Sequence, residues 1–191
     1  MNELHKILEE IIGLTENEWK KFNSKLKKKE FKAKTVIIKE GRIASSLYFI
    51  ESGLLRTYYN LDGKEINTYF ACDKQFMSVF SSFINQTSSP EILEAIEDSK
   101  VYELSYQSLI DLYKDSSKFE KFGRILAEKN FLCAQERTLT MQTKTAKKKY
   151  LDFIKNYDKK IVLRVPQHQI ASFLGIAPES LSRIRKEIFI S

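Results

Sequence analysis

The residues best suited to chemistry crowd together close to residue 180. Glu179, Ser180, Ser182, Arg183 and Lys186, with Arg185 alongside, set charged and hydrogen-bonding groups on one short stretch. Arginine offers two parallel donors that fit guanine, glutamate accepts from the amino group of cytosine, and serine and lysine reach phosphate oxygens. An ordinary surface helix could carry the same letters, so the residues that would hold them decide the reading.

Those supports follow a strict spacing. Ile170 and Leu174 are one helical turn apart, and Leu181 and Ile184 are three residues apart on a second run, so both pairs can face one core. Ala171 is small where a second helix must cross closely, and Gly175 suits the left-handed residue that ends a helix. Pro178 fits the first turn of a new helix, and Glu179 favours its positive end. Two helices joined by a tight turn form the helix-turn-helix unit that enters DNA grooves. The candidate DNA contacts are therefore Gln167, His168, Glu179, Ser180, Ser182, Arg183 and Lys186.

Other chemistries find little to work with. The only histidines are His5 and His168, and Cys72 and Cys133 stand far apart without CxxC spacing. No disulfide framework, metal cluster, four-cysteine iron-sulfur centre or haem site is suggested. With 6 glycines, no phosphate-cradling loop and no Ser-His-Asp arrangement, the chain is not expected to be an enzyme or to carry a cofactor. The two cysteines read as buried, reduced thiols of a cytoplasmic protein. MNELHKILEE lacks the basic and apolar regions of a signal peptide, and no run approaches the length of a membrane span.

Charge is divided unevenly. From Arg137 to Ser191 there are 12 Lys or Arg against 4 Asp or Glu, a charge of +8, whereas the remaining 20 against 21 leave Met1 to Glu136 at −1. An excess confined to one segment is the footprint of a polyanion-binding unit. Lys147, Lys148, Lys149, Lys159 and Lys160 would supply salt-sensitive attraction to phosphates.

The elements that must position this unit come earlier. Apolar positions from Leu4 to Leu26, broken by Gly13 and a Thr15-Glu16-Asn17-Glu18 capping-type start, predict two short helices. Short β-branched or aromatic runs follow at 36–38, 47–50, 54–59, 66–70 and 100–104, with turn signals at Glu40-Gly41, Ser52-Gly53 and Asp62-Gly63, and predict a β-barrel or sandwich. A glycine-poor helical tract runs from Tyr106 to Tyr157. Its Phe119, Phe122, Leu126, Lys129, Cys133 stripe and its Ile125, Leu132, Leu139 stripe are wide enough to cover the barrel and also to pack on a second copy.

SLYFIESGLLRTYY in the β-rich part and VPQHQIASFLGIAPESLSRIRK at the end resemble the Crp/Fnr regulators over nearly the whole chain. The resemblance implies an α+β protein in three parts. Residues 1–115 would form a cyclic-nucleotide-binding-like sensor built as a double-stranded β-helix, a jelly-roll-like β-roll. Residues 116–145 would form a central dimerisation helix, and 146–191 a helix-turn-helix domain. It implies a homodimer on double-stranded DNA, with RNA polymerase and a small-molecule effector as further partners left open. The family's recognition-helix Glu and Arg fall on Glu179 and Arg183, but the Arg that many members place before that Glu is Pro178 here, so a different operator is expected. Members commonly continue into a β-hairpin wing; with Ser191 as the last residue, contacts made by such a wing are expected to be absent.

The family's nucleotide contacts do not carry over. Its Gly, Glu and phosphate-binding Arg fall on Ser78, Val79 and Ser89, and a cyclic phosphate buried without that cation would be poorly compensated, so no binding of cyclic AMP or GMP is expected. The polar residues from Ser81 to Ser89 beside Phe76, Phe80 and Phe83 read either as a loop capping the barrel or as a pocket for an uncharged ligand. For the pocket the candidates are Phe76, Ser78, Phe80, Ser81, Ser88 and Ser89. The alternative to a DNA-binding regulator is a ligand-binding β-roll module with weakened or lost DNA binding.

Overall fold

The computed structural model describes residues 3–190, with side chains through Ile188. Two helices, α1 (Glu3–Ile12) and α2 (Glu16–Ser24), lead in. Thr15 caps α2 in a full capping box with Glu18, as the Thr-x-x-Glu spacing predicts.

Eight strands then form two antiparallel sheets: β1 (Leu26–Phe31), β2 (Val36–Ile38), β3 (Ser46–Ser52), β4 (Leu54–Leu61), β5 (Lys64–Cys72), β6 (Phe76–Met77), β7 (Ile92–Ala95) and β8 (Ser99–Ser105). One sheet has the order β1-β8-β3-β6 and the other β2-β7-β4-β5. Asp62 and Gly63, both at positive φ, make the two-residue turn that matches the twist of the β4–β5 hairpin. Leu26, expected to end a helix, instead begins β1. Its LKKKEF sequence pairs residue for residue with β8, and four of its six side chains face solvent, which is why no apolar pattern announces it.

The helical tract is three helices, α4 (Tyr106–Asp115), α5 (Ser117–Thr143) and α6 (Ala146–Asn156), after a short α3 (Phe80–Asn85) within the β-rich part. The start of α5 plugs the roll. Phe119 and Phe122 are fully buried; Phe119 stacks on Phe22 of α2 at 6.0 Å, and Phe122 meets Phe22 edge-on at 6.0 Å and Phe76 of β6 at 5.1 Å. Burying such rings contributes about 2 to 3 kcal/mol each.

The second sheet is buried on both faces. Leu55, Ala71, Leu93 and Ala95 point into the roll. Leu54, Phe70 and Cys72 point outward and join a second core with α6, α7 (Lys159–Arg164), α8 (Gln167–Leu174) and α9 (Pro178–Ile190). Cys133, expected to be buried, is only half-buried on α5, because past its first turns this helix leaves the roll and runs along its side. Among the described residues no helix is long and apolar enough to cross a membrane.

Glu18 ties α2 to the start of α5. Its carboxylate receives hydrogen bonds from Lys118 Nζ at 2.8 Å, the Thr15 amide at 2.8 Å and Ser116 Oγ at 3.1 Å. The bond from Lys118, followed by that from the Thr15 amide, outweighs partial burial and holds the Glu18 carboxyl down at about 2. A carboxyl that binds its proton less tightly in the folded chain than in the unfolded one stabilises the fold fully above its ordinary value of 4.5 and ceases to do so as pH falls towards 2. Glu18→Gln is expected to lower stability to urea at pH 7 and to flatten the loss of stability between these two values. Urea titrations across that range check it.

Candidate nucleic-acid interface

Helices α8 and α9 are built as their spacing requires. Ile170, Ala171, Leu174, Ile176, Leu181 and Ile184 are all buried in one core. Gly175 ends α8 at φ +59°, and the Ile176 amide returns to the Ala171 carbonyl at 2.9 Å, closing the turn. A Cβ at Gly175 would sit 3.2 Å from Met141 Sδ of α5, so this turn also nests against the central helix.

On the opposite side of α9, Glu179, Ser182, Arg183 and Lys186 are exposed and Ser180 is half-buried. His168 is exposed and Gln167 half-buried at the start of α8. All seven candidate contacts thus belong to one helix-turn-helix, and the exposed side chains of α9 lie opposite Leu181 and Ile184. No Arg or Lys immediately precedes Glu179, because Pro178 occupies that position.

The lysines divide differently from the charge count. Lys147 pairs with Glu187 at 3.3 Å and Lys148 with Asp152 at 3.0 Å, both near the surface. Lys160 is not available for phosphate: its Nζ lies 2.7 Å from Asp73 and 2.7 Å from Glu97, two carboxylates of the β-rich part. Arg164 adds a contact with Glu97 at 3.0 Å. Burial works against the charged form of Asp73, but hydrogen bonds from Lys160 and the Gly53 amide outweigh it and hold the carboxyl below its ordinary value.

These ion pairs are one edge of a broad dock between the helix-turn-helix and the outer face of the second sheet. In the middle, Phe70 of β5 packs on Phe173 of α8 at 5.2 Å. At the far edge the Ser172 hydroxyl donates to the Glu65 carbonyl at 2.7 Å and accepts from the Asn67 amide at 3.1 Å. The β4–β5 ladder slips at this point: Thr57 pairs with Tyr69 and Tyr58 with Asn67, leaving Thr68 as an extra residue. Arg137 of α5 receives the carbonyls of the bulge, donating to Thr68 O and Asn67 O at 2.9 Å each, and reaches Phe173 O at 3.3 Å. One guanidinium thus joins β5, α5 and α8. Arg137 belongs to the basic C-terminal segment, yet it is half-buried and turned to the protein.

Beneath the hairpin, Arg56 is 3% exposed and bonds Glu94 at 3.1 Å, Glu65 at 2.6 Å and Asn67 at 3.1 Å. It fixes the very strand whose backbone Ser172 grips. Asn67 Nδ2 and Gln169 Oε1 are buried without a hydrogen-bond partner among the described residues.

The candidate effector residues are more scattered. Ser81 and Ser88 are exposed, whereas Ser78 and Ser89 are buried with hydroxyls already used: Ser78 donates to Ser46 O and Ser89 to Glu91 O, each at 2.8 Å. Phe76 packs on Phe49 and Phe122, and Phe80 lies against the roll core. Among the described residues no group of three or more His, Cys, Asp or Glu is arranged to hold a metal ion.

Comparison with known proteins gives three kinds of likeness. Residues 28–116 match the model of the cyclic nucleotide-binding domain. An anaerobic regulatory protein of Pasteurella multocida is 26% identical over 169 residues, covering 83% of this chain and 61% of that protein, so the chain spans about three-fifths of this relative's length. FixK2 from Bradyrhizobium japonicum has the same fold, with a TM-score of 0.76 and 19% identity over 86% of this chain and 85% of the other. A Crp/Fnr-family transcriptional regulator from Eubacterium rectale aligns at a TM-score of 0.70 and 20% identity over 93% and 84%.

Ser172→Ala would leave the buried Asn67 amide without its acceptor, and a stranded buried donor costs about 1 to 3 kcal/mol. The variant is expected to lose stability in that range in urea and to exchange the Asn67 amide hydrogen faster. A urea titration checks the first and a hydrogen-exchange time course the second.

Proposed function

We propose that the chain is a regulator of the Crp/Fnr type, a homodimeric, sequence-specific DNA-binding protein that reads a pseudo-palindromic site with α9 and does not respond to cyclic AMP. The observation that carries the reading is the two-sidedness of α9. Leu181 and Ile184 are buried in the core, while Glu179, Ser182, Arg183 and Lys186 stand clear of the protein. A basic, hydrogen-bonding face on the second helix of such a unit fits the major groove.

Arg183 supplies bidentate recognition of guanine and Glu179 accepts from cytosine. Gln167, His168 and Ser180 sit beside them for phosphate or base contacts. Pro178 cannot make a side-chain hydrogen bond, so the base an arginine would read there goes unread and the operator differs from the family's usual one.

Dimerisation is supported by α5. Phe131, Leu132 and Leu139 are 58 to 64% exposed on this helix, a set of large apolar side chains with no cover from their own chain. Pairing two such helices would bury them and set two copies of α9 about one helical turn of DNA, ~34 Å, apart.

The reading against cyclic AMP rests on Ser78 and Ser89. Both hydroxyls are engaged with backbone carbonyls, and neither position offers the cation a cyclic phosphate needs.

Selection from a random pool of duplexes is expected to return an inverted repeat. Arg183→Ala should weaken binding to it by about 1 to 3 kcal/mol and relax preference at one position of each half-site. Selection that returns no site, or an Arg183→Ala variant that binds every sequence as before, would favour a ligand-binding module without DNA function. Calorimetry should give no heat of binding with cyclic AMP.

A further inference from the structure

A cavity of about 300 Å³ opens where β5, α5, α6 and α8 meet. It is away from the barrel loop that held the candidate effector residues. Its walls come from the β-roll, the central helix and the helix-turn-helix alike.

One wall is aromatic. Tyr69 of β5, Tyr157 at the end of α6 and Phe173 of α8 line it, and the Tyr157 and Phe173 rings meet edge-on at 5.6 Å. Such a surface suits a flat ring, which gains both apolar burial and edge-to-face contact. The volume is at the lower end of the range that holds small organic ligands.

The other wall is cationic. Lys129, Arg137 and Lys149 line the cavity and make no ion pair among the described residues. Of the acids there, Asp152 is already taken by Lys144 at 2.9 Å and Lys148 at 3.0 Å. Glu136 and Asp158 remain, and Asp158 is occupied in capping α7 through the Lys160 amide. With Lys144 counted, four cations and three acids line the cavity, an excess of one positive charge.

Arg137 is the key group. Its three hydrogen bonds all go to neutral carbonyls, which leaves one Nη1–H and the Nε–H without an acceptor among the described residues. Glu91 acts on this guanidinium only from beyond contact distance, so a half-buried cation with spare donors and no carboxylate bonded to it is left for an anion to complete.

We propose that this junction cavity binds a small aromatic anion, a ring-bearing carboxylate or sulfonate, with its ring among Tyr69, Tyr157 and Phe173 and its acid group on Arg137. Because Arg137 and Phe173 also hold α8 to the sheet, such a ligand acts on the dock that sets the position of the helix-turn-helix. The binding step itself does not depend on the DNA reading, and the test is made on the full chain without DNA.

The probes are 2-naphthoate and its uncharged counterpart 2-naphthalenemethanol, titrated by calorimetry. Naphthoate is expected to bind once per chain, and the alcohol at least about tenfold more weakly, the difference a charge-assisted bond makes. Cys133→Phe, which projects a ring into the cavity from the half-buried face of α5, should weaken naphthoate by at least about tenfold while keeping the circular dichroism and melting of the parent. Thr140→Phe, two turns further along the same face, carries the same expectation if Cys133→Phe does not fold. Equal binding of acid and alcohol overturns the proposal, as does undiminished binding by the folded filling variant, or no binding of naphthoate up to about 1 mM.

Discussion

The helix-turn-helix has its place because a sheet that could have faced water is covered by it. Phe70 on Phe173 supplies the apolar centre of that contact, and Arg137 pins it by bonding the bulged carbonyls of β5 and the end of α8 at once. Without the bulge at Thr68 those carbonyls would belong to the ladder, and the guanidinium would have nothing to hold. The course of α5 along the roll, the seat of the Gly175 turn on Met141 and the outward aim of α9 all follow from this one joint.

The joint is strong in its middle and imperfect at its polar edge. Arg56, with Glu94, Glu65 and Asn67, makes the hairpin rigid, yet Asn67 Nδ2 and Gln169 Oε1 are buried without partners among the described residues. Each such atom costs about 1 to 3 kcal/mol, which offsets part of what Phe70 and Phe173 contribute. A contact of mixed quality suits two arrangements of similar energy better than a fully satisfied one does. The ion pairs of Lys160 with Asp73 and Glu97 then set its register more than its strength.

What could be read from sequence was what is local. Ile170, Leu174, Leu181 and Ile184 declare their helices by spacing, and Gly175 and Pro178 punctuate them, so the scaffold of α8 and α9 was legible residue by residue. Thr15 and Glu18 announced the start of α2 in the same way. The dock was not legible, because its partners lie far apart in the chain: Ser172 meets Glu65 and Asn67, and Arg137 meets Thr68. Arg137 and Lys160 carried the same letters as phosphate-binding residues, and only burial separates the two roles. LLRTYY in β4 lacks alternation, the mark of a strand covered on both faces, and so pointed to something packed outside the roll. Charged β1 gave no signal at all, since its pairing with β8 is made by backbone groups.

The two-sided burial of the second sheet also bears on how the chain is made. Leu54, Phe70 and Cys72 are synthesised about a hundred residues before the helices that cover them, since every strand of the roll precedes α5 and α8 follows it. During that interval an apolar strip lies open on a nearly finished domain, the kind of surface that chaperones hold and that pairs wrongly in crowded solution. The arginine in the strip, Arg56, paired with Glu94 and Glu65, keeps part of this face charged from the outset. A charge within an apolar strip is the sequence device that opposes such mispairing.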